Sequence, residues 1–432
     1  MSENLRVGIA GLGTVGAAVV RLLAAQATDL AARTGRDIVL TGVCARDPAR
    51  DRGLDLGGAS WFATPAELAR SERIDLFVEL IGGDEGPARD SVETALKAGK
   101  SVVTANKALL AKHGIALARL AEAHHAALAF EASVAGGIPI VKTLREGLAG
   151  NRIERVYGIL NGTCNYILSR MELEGLSFAE CLTDAQKLGY AEADPTFDIG
   201  GFDTAHKLAI LASLAFGVKL DAEAISVEGI EDISLADLNA AAELGYRVKL
   251  LGVAQRTSHG VEQRVHPTMV PLSSSIAQVM GVTNAVTVDA DAVSELTLVG
   301  PGAGGMATAS AVVADIADIA RGIRSAPFGL PVDHLALPEK SPMQRHEGGY
   351  YIRLAVRNKI GAAAAIATRM AEHEISLESI VQRRTCAADE SVVPVVLVTY
   401  ATTEASVRQA LAAIVADGHV ADKPQVIRIE RE

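Results

Sequence analysis

The chain has 432 residues, too many for one ordinary core and enough for two or three domains. Hydrophobic residues make up 49% and charged ones 22%, a globular balance, and 41 basic against 52 acidic side chains leave a formal charge of −11. That charge excludes a nucleic-acid or anionic-membrane surface, so a phosphate-bearing ligand has to be held locally, by backbone amides and a few placed cations.

From 1 to 140 strands and helices alternate. Strands are predicted at 5–10, 37–45, 74–81, 101–105 and 127–133, with one helix over 15–33 and another over 87–99. Apolar strands between helices are buried on both faces, so the fold class is α/β with a doubly wound, Rossmann-type parallel sheet.

Gly11, Gly13 and Gly16 fall in G-x-G-x-x-G spacing between the first strand and the first helix. In that context the triplet reads as a dinucleotide turn: Gly11 permits the bend, Gly13 the approach of a pyrophosphate, and Gly16 close helix–strand packing. The backbone of Leu12, Thr14 and Val15 completes the cradle at the helix N-terminus. After the second strand, Arg46 favours NADP, while the interleaved Asp47 and Asp51 leave NAD open. Lys107 stands in the first turn of a helix just after the 101–105 strand, where the helix dipole gives no reason for a cation. Thr104 or Asn106 is its N-cap, and Lys107 faces the nicotinamide side of the cleft unless it is a snorkelling surface lysine.

The segment 141–300 is α+β, with strands at 152–160, 246–256, 261–270 and 284–290 and helices at 163–174, 178–188, 203–216 and 235–244. Within it, QKLGYAEADPTFDIGGFDTAHK (186–207) gathers Glu192, Asp194, Asp198 and Asp203 around Gly189, Gly200 and Gly201, and ends on Lys207. Asp203 and Lys207 are i,i+4 on a helix that continues apolar. An unpaired ammonium beside a buried face is costly. Several carboxylates and one lysine suit a small zwitterion, with the lysine placed for proton transfer. A capped helix start with a supporting ion pair is the plain alternative.

A glycine turn, GPGAG, opens a helix over 300–322, which returns to the first domain (300–325). A Pro-rich linker spans 326–348. The tail 349–432 orders its elements βαββαβ, a ferredoxin-like module. The cysteines Cys44, Cys164, Cys181 and Cys386 lack CxxC or metal spacing and read as reduced thiols. With no signal-like N-terminus and no long apolar run, a cytoplasmic location is expected.

Together GLGTVG, ELIGG (79–83), TANK (104–107), EASVAGGIPI (131–140), LNGTCNYIL (160–168) and GYAEADPTFDIGGFDTAHKL resemble homoserine dehydrogenase over essentially the whole chain. With its tail, the chain is similar to the longer form that ends in an ACT regulatory domain. The resemblance implies NAD(P)-linked interconversion of L-homoserine and L-aspartate 4-semialdehyde. Lys207 would donate the proton, Lys107 would assist, and Glu192, Asp198 and Asp203 would hold the amino acid. It further implies Gly189 and Gly304 on the cofactor side, and a monovalent cation, typically sodium, at Glu131 and the carbonyls of Val134, Gly136 and Ile138. L-threonine is the implied effector at the ACT domain, and the implied assembly a homodimer or homotetramer. The tail departs from the family pattern: Asn358-Lys359-Ile360-Gly361 stands where D-x-P-G is common, and Glu374 where glycine is frequent. Both departures point to altered or weak threonine inhibition, or to a tail that only assembles subunits. Another semialdehyde oxidoreductase with Cys164 as nucleophile, and a non-enzymatic amino-acid sensor, are the rival readings.

Overall fold

The computed structural model describes residues 4–337, 346–382 and 391–430. The first six strands are β1 (Leu5–Ala10), β2 (Ile38–Cys44), β3 (Ser60–Trp61), β4 (Leu76–Glu79), β5 (Ser101–Thr104) and β6 (Leu128–Ala129). They pair in parallel, in the order β3-β2-β1-β4-β5-β6. The order reverses between β1 and β4, which opens a crevice at the carboxyl ends of those strands. β3 and the short helix Pro65–Arg70 carry too little periodicity to be read from sequence.

Two expectations within residues 1–140 need correction. The helix over 15–33 is broken at Gln26 into Thr14–Ala25 and Ala27–Thr34, bent by 75°. The first piece buries Val19, Val20 and Leu23, whereas the second has no fully buried residue. Each half keeps its helical pattern, so the bend leaves no trace in it. The strand over 127–133 stops at Ala129, and Glu131–Ser133 is a 3-10 turn, because the Glu131 carboxylate turns inward.

The later strands are β7 (Ile153–Ile159), β8 (Ser226–Val227), β9 (Tyr246–Thr257), β10 (Gly260–Pro271), β11 (Thr283–Ala290), β12 (Ser294–Pro301), β13 (Glu347–Arg357), β14 (Leu377–Gln382), β15 (Val392–Thr399), β16 (Thr402–Thr403) and β17 (Gln425–Ile429). They form one large sheet, ordered β12-β11-β7-β9-β10-β17-β13-β15-β14 along its main path. Helix Phe202–Phe216 packs across β7, β9 and β10 on the face that carries most of the core. The tail's four long strands run β17-β13-β15-β14, the fourth, first, third and second of the module, as its βαββαβ order requires. The junction with the body is narrow: β17 pairs β10 through Thr268↔Arg428 and Met269↔Ile429.

The Pro-rich stretch is not a loose linker where it is described. Phe328, Val332 and Leu335 are buried, Phe328 lies 5.2 Å from the Phe130 ring, and Ala336 bridges Val218. Prolines there set the path of a packed segment. Residues 338–345 of the expected linker, Cys386 and the end of the 376–384 strand lie outside the described residues. Helix Gly305–Ala320, which follows the GPGAG turn, lies against helix Thr14–Ala25. Among the described residues no single helix is long and apolar enough to cross a membrane.

Candidate functional site

The dinucleotide turn follows β1. Gly11 has φ +101°, and a Cβ there would sit 2.3 Å from the Leu80 carbonyl oxygen. A Cβ on Gly16 would meet the Gly11 oxygen at 1.9 Å, whereas one on Gly13 would meet nothing within 4 Å. Gly11 and Gly16 are therefore fixed by packing, and Gly13 faces open space. Helix Thr14–Ala25 begins with no side-chain cap, which leaves the amides of its first turn, from Thr14 and Val15 onward, without such a partner. A second uncapped helix start, after Gly304 (φ +109°), abuts it: a Cβ on Gly305 would lie 3.1 Å from Thr14. Two amide-rich, acid-free helix starts at the mouth of one crevice fit a pyrophosphate.

Around the crevice, Arg46 is exposed just beyond β2. Arg52 instead folds back over the turn, donating from Nε to Leu12 O (3.1 Å) and from Nη2 to Asp47 O (2.7 Å). The Thr104 hydroxyl donates to Glu79 Oε2 at 2.6 Å. Glu79, wholly buried, also accepts the amides of Ile81 (2.7 Å) and Gly82 (3.0 Å). This carboxylate fixes the ELIGG turn, and sequence reasoning missed it because it ends an apolar strand. Of the two candidates for capping helix Lys107–Ala123, Asn106 does so: it accepts from Leu109 N and donates to Gly83 O.

At the centre stands Asp203. Its Oδ1 is 2.9 Å from Lys107 Nζ and its Oδ2 2.7 Å from Lys207 Nζ, so one carboxylate ties the end of β5 to helix Phe202–Phe216. Asp203 and Lys207 are buried, and Lys107 keeps 34% of its side chain exposed toward the cleft. Burial alone would raise the Asp203 pKa, but Lys207 and Lys107 hold it well below the usual carboxylate range. Lys207 also donates to Leu160 O at 2.6 Å, which uses two of its three N–H groups.

Asn161 organises the acids. It caps helix Gly162–Glu174 through Cys164 N and donates Nδ2 to Asp198 Oδ1 (2.8 Å) and Asp203 Oδ2 (2.9 Å). Burial raises the Asp198 pKa, with Asn161 and the lysines opposing. Asn161 lies within LNGTCNYIL, a motif that by itself assigns it no role. Its N-cap position ahead of an apolar helix was the available signal. His206 also lines this end, half-buried against Phe197, and burial lowers its pKa. Glu192 is not brought in: it is exposed, and its carboxylate pairs with nothing among the described residues. Gly189 is an open left-handed turn (φ +76°) after helix Phe178–Lys187.

Cys164 is fully buried, its thiol donates to Asp198 O at 3.2 Å, and burial pushes its pKa well up. A thiolate nucleophile needs the opposite environment.

Glu131 is also buried. Its carboxylate accepts the amides of Val141 (2.9 Å) and Lys142 (2.8 Å), and its own amide donates to Asp315. Burial, reinforced by Asp315, pushes its pKa up to about 7. Beyond it the chain turns through Ala135 (φ +54°) and Gly136 (φ +52°), and a Cβ on Gly136 would lie 2.5 Å from Gly302 O. The Ile138 carbonyl accepts from Ile140 N. Both Glu131 carboxylate oxygens are thus engaged by backbone amides, and the turn that follows is the segment to which the family resemblance assigns a cation. Among the described residues no group of three or more His, Cys, Asp or Glu side chains could hold a metal ion.

A parallel sheet with a glycine turn at its switch point, and a lysine–aspartate–lysine bridge across the cleft, define a nicotinamide-dependent oxidoreductase. Residues 139–317 match the family described as homoserine dehydrogenase, and residues 11–131 match the homoserine dehydrogenase NAD-binding domain. The chain belongs to the homoserine dehydrogenase family.

Homoserine dehydrogenase of Neisseria gonorrhoeae is 43% identical over 435 residues, covering 99% of each chain. The crystal structure of a homoserine dehydrogenase from Thiobacillus denitrificans superposes with a TM-score of 0.93 at 43% identity, covering 99% of this chain and 98% of that one. A hyperthermophilic archaeal homoserine dehydrogenase in complex with NADPH gives a TM-score of 0.63 at 28% identity, covering 74% of this chain and 99% of its own.

Proposed function

We propose that the cleft reduces L-aspartate 4-semialdehyde to L-homoserine, reversibly, with Lys207 as proton donor. The observation that carries this is the Lys107–Asp203–Lys207 bridge. Asp203 and Leu160 O hold the Lys207 ammonium on two sides, so its third N–H is the one to aim at a substrate oxygen. NADPH supplies the hydride to the aldehyde carbon. Lys107, anchored at one carboxylate oxygen and partly exposed, stabilises the developing oxyanion from the cofactor side. Asp198 and Asp203 receive the substrate ammonium. Glu192 joins them only if its loop folds inward, because it is exposed as it stands.

The first-turn amides after Gly11, Leu12 and Gly13 hold the pyrophosphate, with Gly304 beside them and Gly189 on the same side. Thr104 contributes through its backbone, its hydroxyl being committed to Glu79. Exposed Arg46 favours NADP over NAD, and the NADPH bound by the archaeal relative supports this preference. Sodium is the cation for Glu131 and the carbonyls of Val134, Gly136 and Ile138, and the raised Glu131 pKa supports that reading.

The domains follow the sequence boundaries, 1–140 with 300–325, 141–300 and 349–432, and the tail is an ACT module. A cavity of about 240 Å³ lined by Asn358, Lys359 and Gly361 is the candidate threonine site. Ile360 is fully exposed there, and Glu374 takes a left-handed conformation (φ +58°), which supports weak or altered inhibition. The assembly is a cytoplasmic homodimer or homotetramer.

The test is NADPH and NADH oxidation with L-aspartate 4-semialdehyde, comparing wild type with Lys207→Ala, each with and without L-threonine. The variant loses about 10²- to 10⁴-fold in kcat while still binding NADPH by fluorescence titration. Undiminished turnover in Lys207→Ala refutes the proton-donor role.

A further inference from the structure

We propose that Arg428, on the last strand of the tail, is a positioning residue for the substrate acids, acting through Glu228. The inference rests on Asp198 and Asp203 as the substrate-binding acids.

The path is short and made of backbone. β8 pairs β10, and the chain leaving it at Glu228 donates from Glu228 N to Val265 O at 2.8 Å. Two residues on, the amide of buried Ile230 donates to Ile199 O at 2.9 Å. Between them Gly229 presses on the same spot: a Cβ there would lie 2.4 Å from Ile199 O and 2.8 Å from Gly200 Cα. On the other side Gly201 (φ +88°) rests on Val227 and Val265, each 3.0 Å from where its Cβ would stand. The segment 227–230 is therefore the floor under residues 199–201. Asp198 precedes that floor and Asp203 begins the helix just after it, so a shift of the floor moves both carboxylates.

What holds the floor laterally is the tail. Arg428 Nη1 and Nη2 bind Glu228 Oε2 and Oε1 at 2.8 and 3.0 Å, a two-pronged pair. The same guanidinium reaches Glu404 Oε2 through Nε (3.1 Å) and Oε1 through Nη2 (2.9 Å). Arg428 is 3% exposed and Glu404 5%, whereas Glu228 is 41% exposed, so the arginine is rooted in the tail and Glu228 is the element it captures. The backbone pairing of β17 with β10 spans only two residues, so side chains carry much of the junction: Arg264–Glu430 and Arg353–Asp237 tie it elsewhere, and Arg428–Glu228 is the two-pronged tie at the floor.

The experiment uses the full-length protein and compares Glu228→Gln, Arg428→Lys and Asp198→Asn with wild type, reading homoserine KM, NADP KM, kcat and Tm. Removing the Glu228 charge leaves Arg428 paired with Glu404, so Glu228→Gln folds. Its homoserine KM rises about 10-fold or more, the order of loss that a small misplacement of a binding group brings, while NADP KM and Tm stay near wild type. Arg428→Lys, which keeps the charge without the fork, gives a smaller rise in the same parameter. Lys423→Ala removes a mostly exposed pair with Asp232 nearby and changes none of them.

A Glu228→Gln enzyme with homoserine KM within about twofold of wild type overturns the inference, as does a uniform loss in which both KM values and Tm move together. If Asp198→Asn also leaves homoserine KM unchanged, the substrate-acid reading itself has failed. If Asp198→Asn raises it and Glu228→Gln does not, only the tail's positioning role is lost.

Discussion

Two buried ionic clusters in this molecule are unbalanced in opposite senses. Around Asp203 one carboxylate serves two lysines, and its pKa is held low. Around Lys142 the acids outnumber the lysine: its Nζ is 3.3 Å from Asp315 and also pairs with Asp318, Glu131 lies beside them, and Glu131 and Asp315 both have raised pKa values, Glu131 to about 7. Buried charge is tolerated only when it is neutralised. Under the proposed function, the low pKa at the first cluster keeps both ammonium groups paired beside the substrate, and the raised pKa values at the second leave room for a cation.

The largest effect that would break this contrast is at Asp203. Asp203→Ala leaves two ammonium groups facing each other without their acid. It should cost about 3–5 kcal/mol in urea unfolding as well as nearly all turnover. If stability were unchanged, the first cluster would not be the coupled unit described.

A smaller effect sharpens the second cluster. For Glu131 the ordinary value is 4.5 and the folded one about 7, so an acid with a raised pKa withdraws stability as pH climbs between those values and stays costly above them. A bound cation reverses that cost. Sodium chloride, compared with choline chloride at equal ionic strength, should raise Tm by a few degrees above pH 7. It should have no effect below pH 4.5, nor in Glu131→Gln. Equal Tm values in the two salts above pH 7 would remove the cation from the account.

The smallest effect lies outside both clusters and calibrates them. Helix Ala362–Glu372 ends in two bonds, Glu374 N to Ala371 O and Ile375 N to Met370 O, with Glu374 at φ +58°. Such an end favours glycine. Glu374→Gly should stabilise by about 1 kcal/mol, read as an increase in urea midpoint.

These clusters were legible to different degrees. Asp203 and Lys207 announce themselves by i,i+4 spacing on an apolar helix, and Lys107 by standing where the helix dipole disfavours it. Glu374 follows from the position of the helix end. By contrast, Glu79 hides at the end of an apolar strand, and Asp315 sits mid-helix with no local peculiarity. Arg428 meets Glu228 across 200 residues of chain, a relation that periodicity cannot carry. Glu192 shows the converse: motif membership placed it among the acids, but the geometry leaves it outside. The described part of the Pro-rich segment misled because composition reports backbone stiffness, while burial there is decided by Phe328, Val332 and Leu335.

The narrow seam between β10 and β17 also bears on how the chain assembles during synthesis. β17 leaves the ribosome after the other described strands, yet it caps an edge of a strand, β10, made long before. Until it arrives, the part of that edge beyond the β8 pairing, at Thr268 and Met269, offers peptide groups to any neighbouring nascent chain. The interval between residues 271 and 425 is therefore the period in which aggregation competes with folding, and slow translation across the tail would lengthen it.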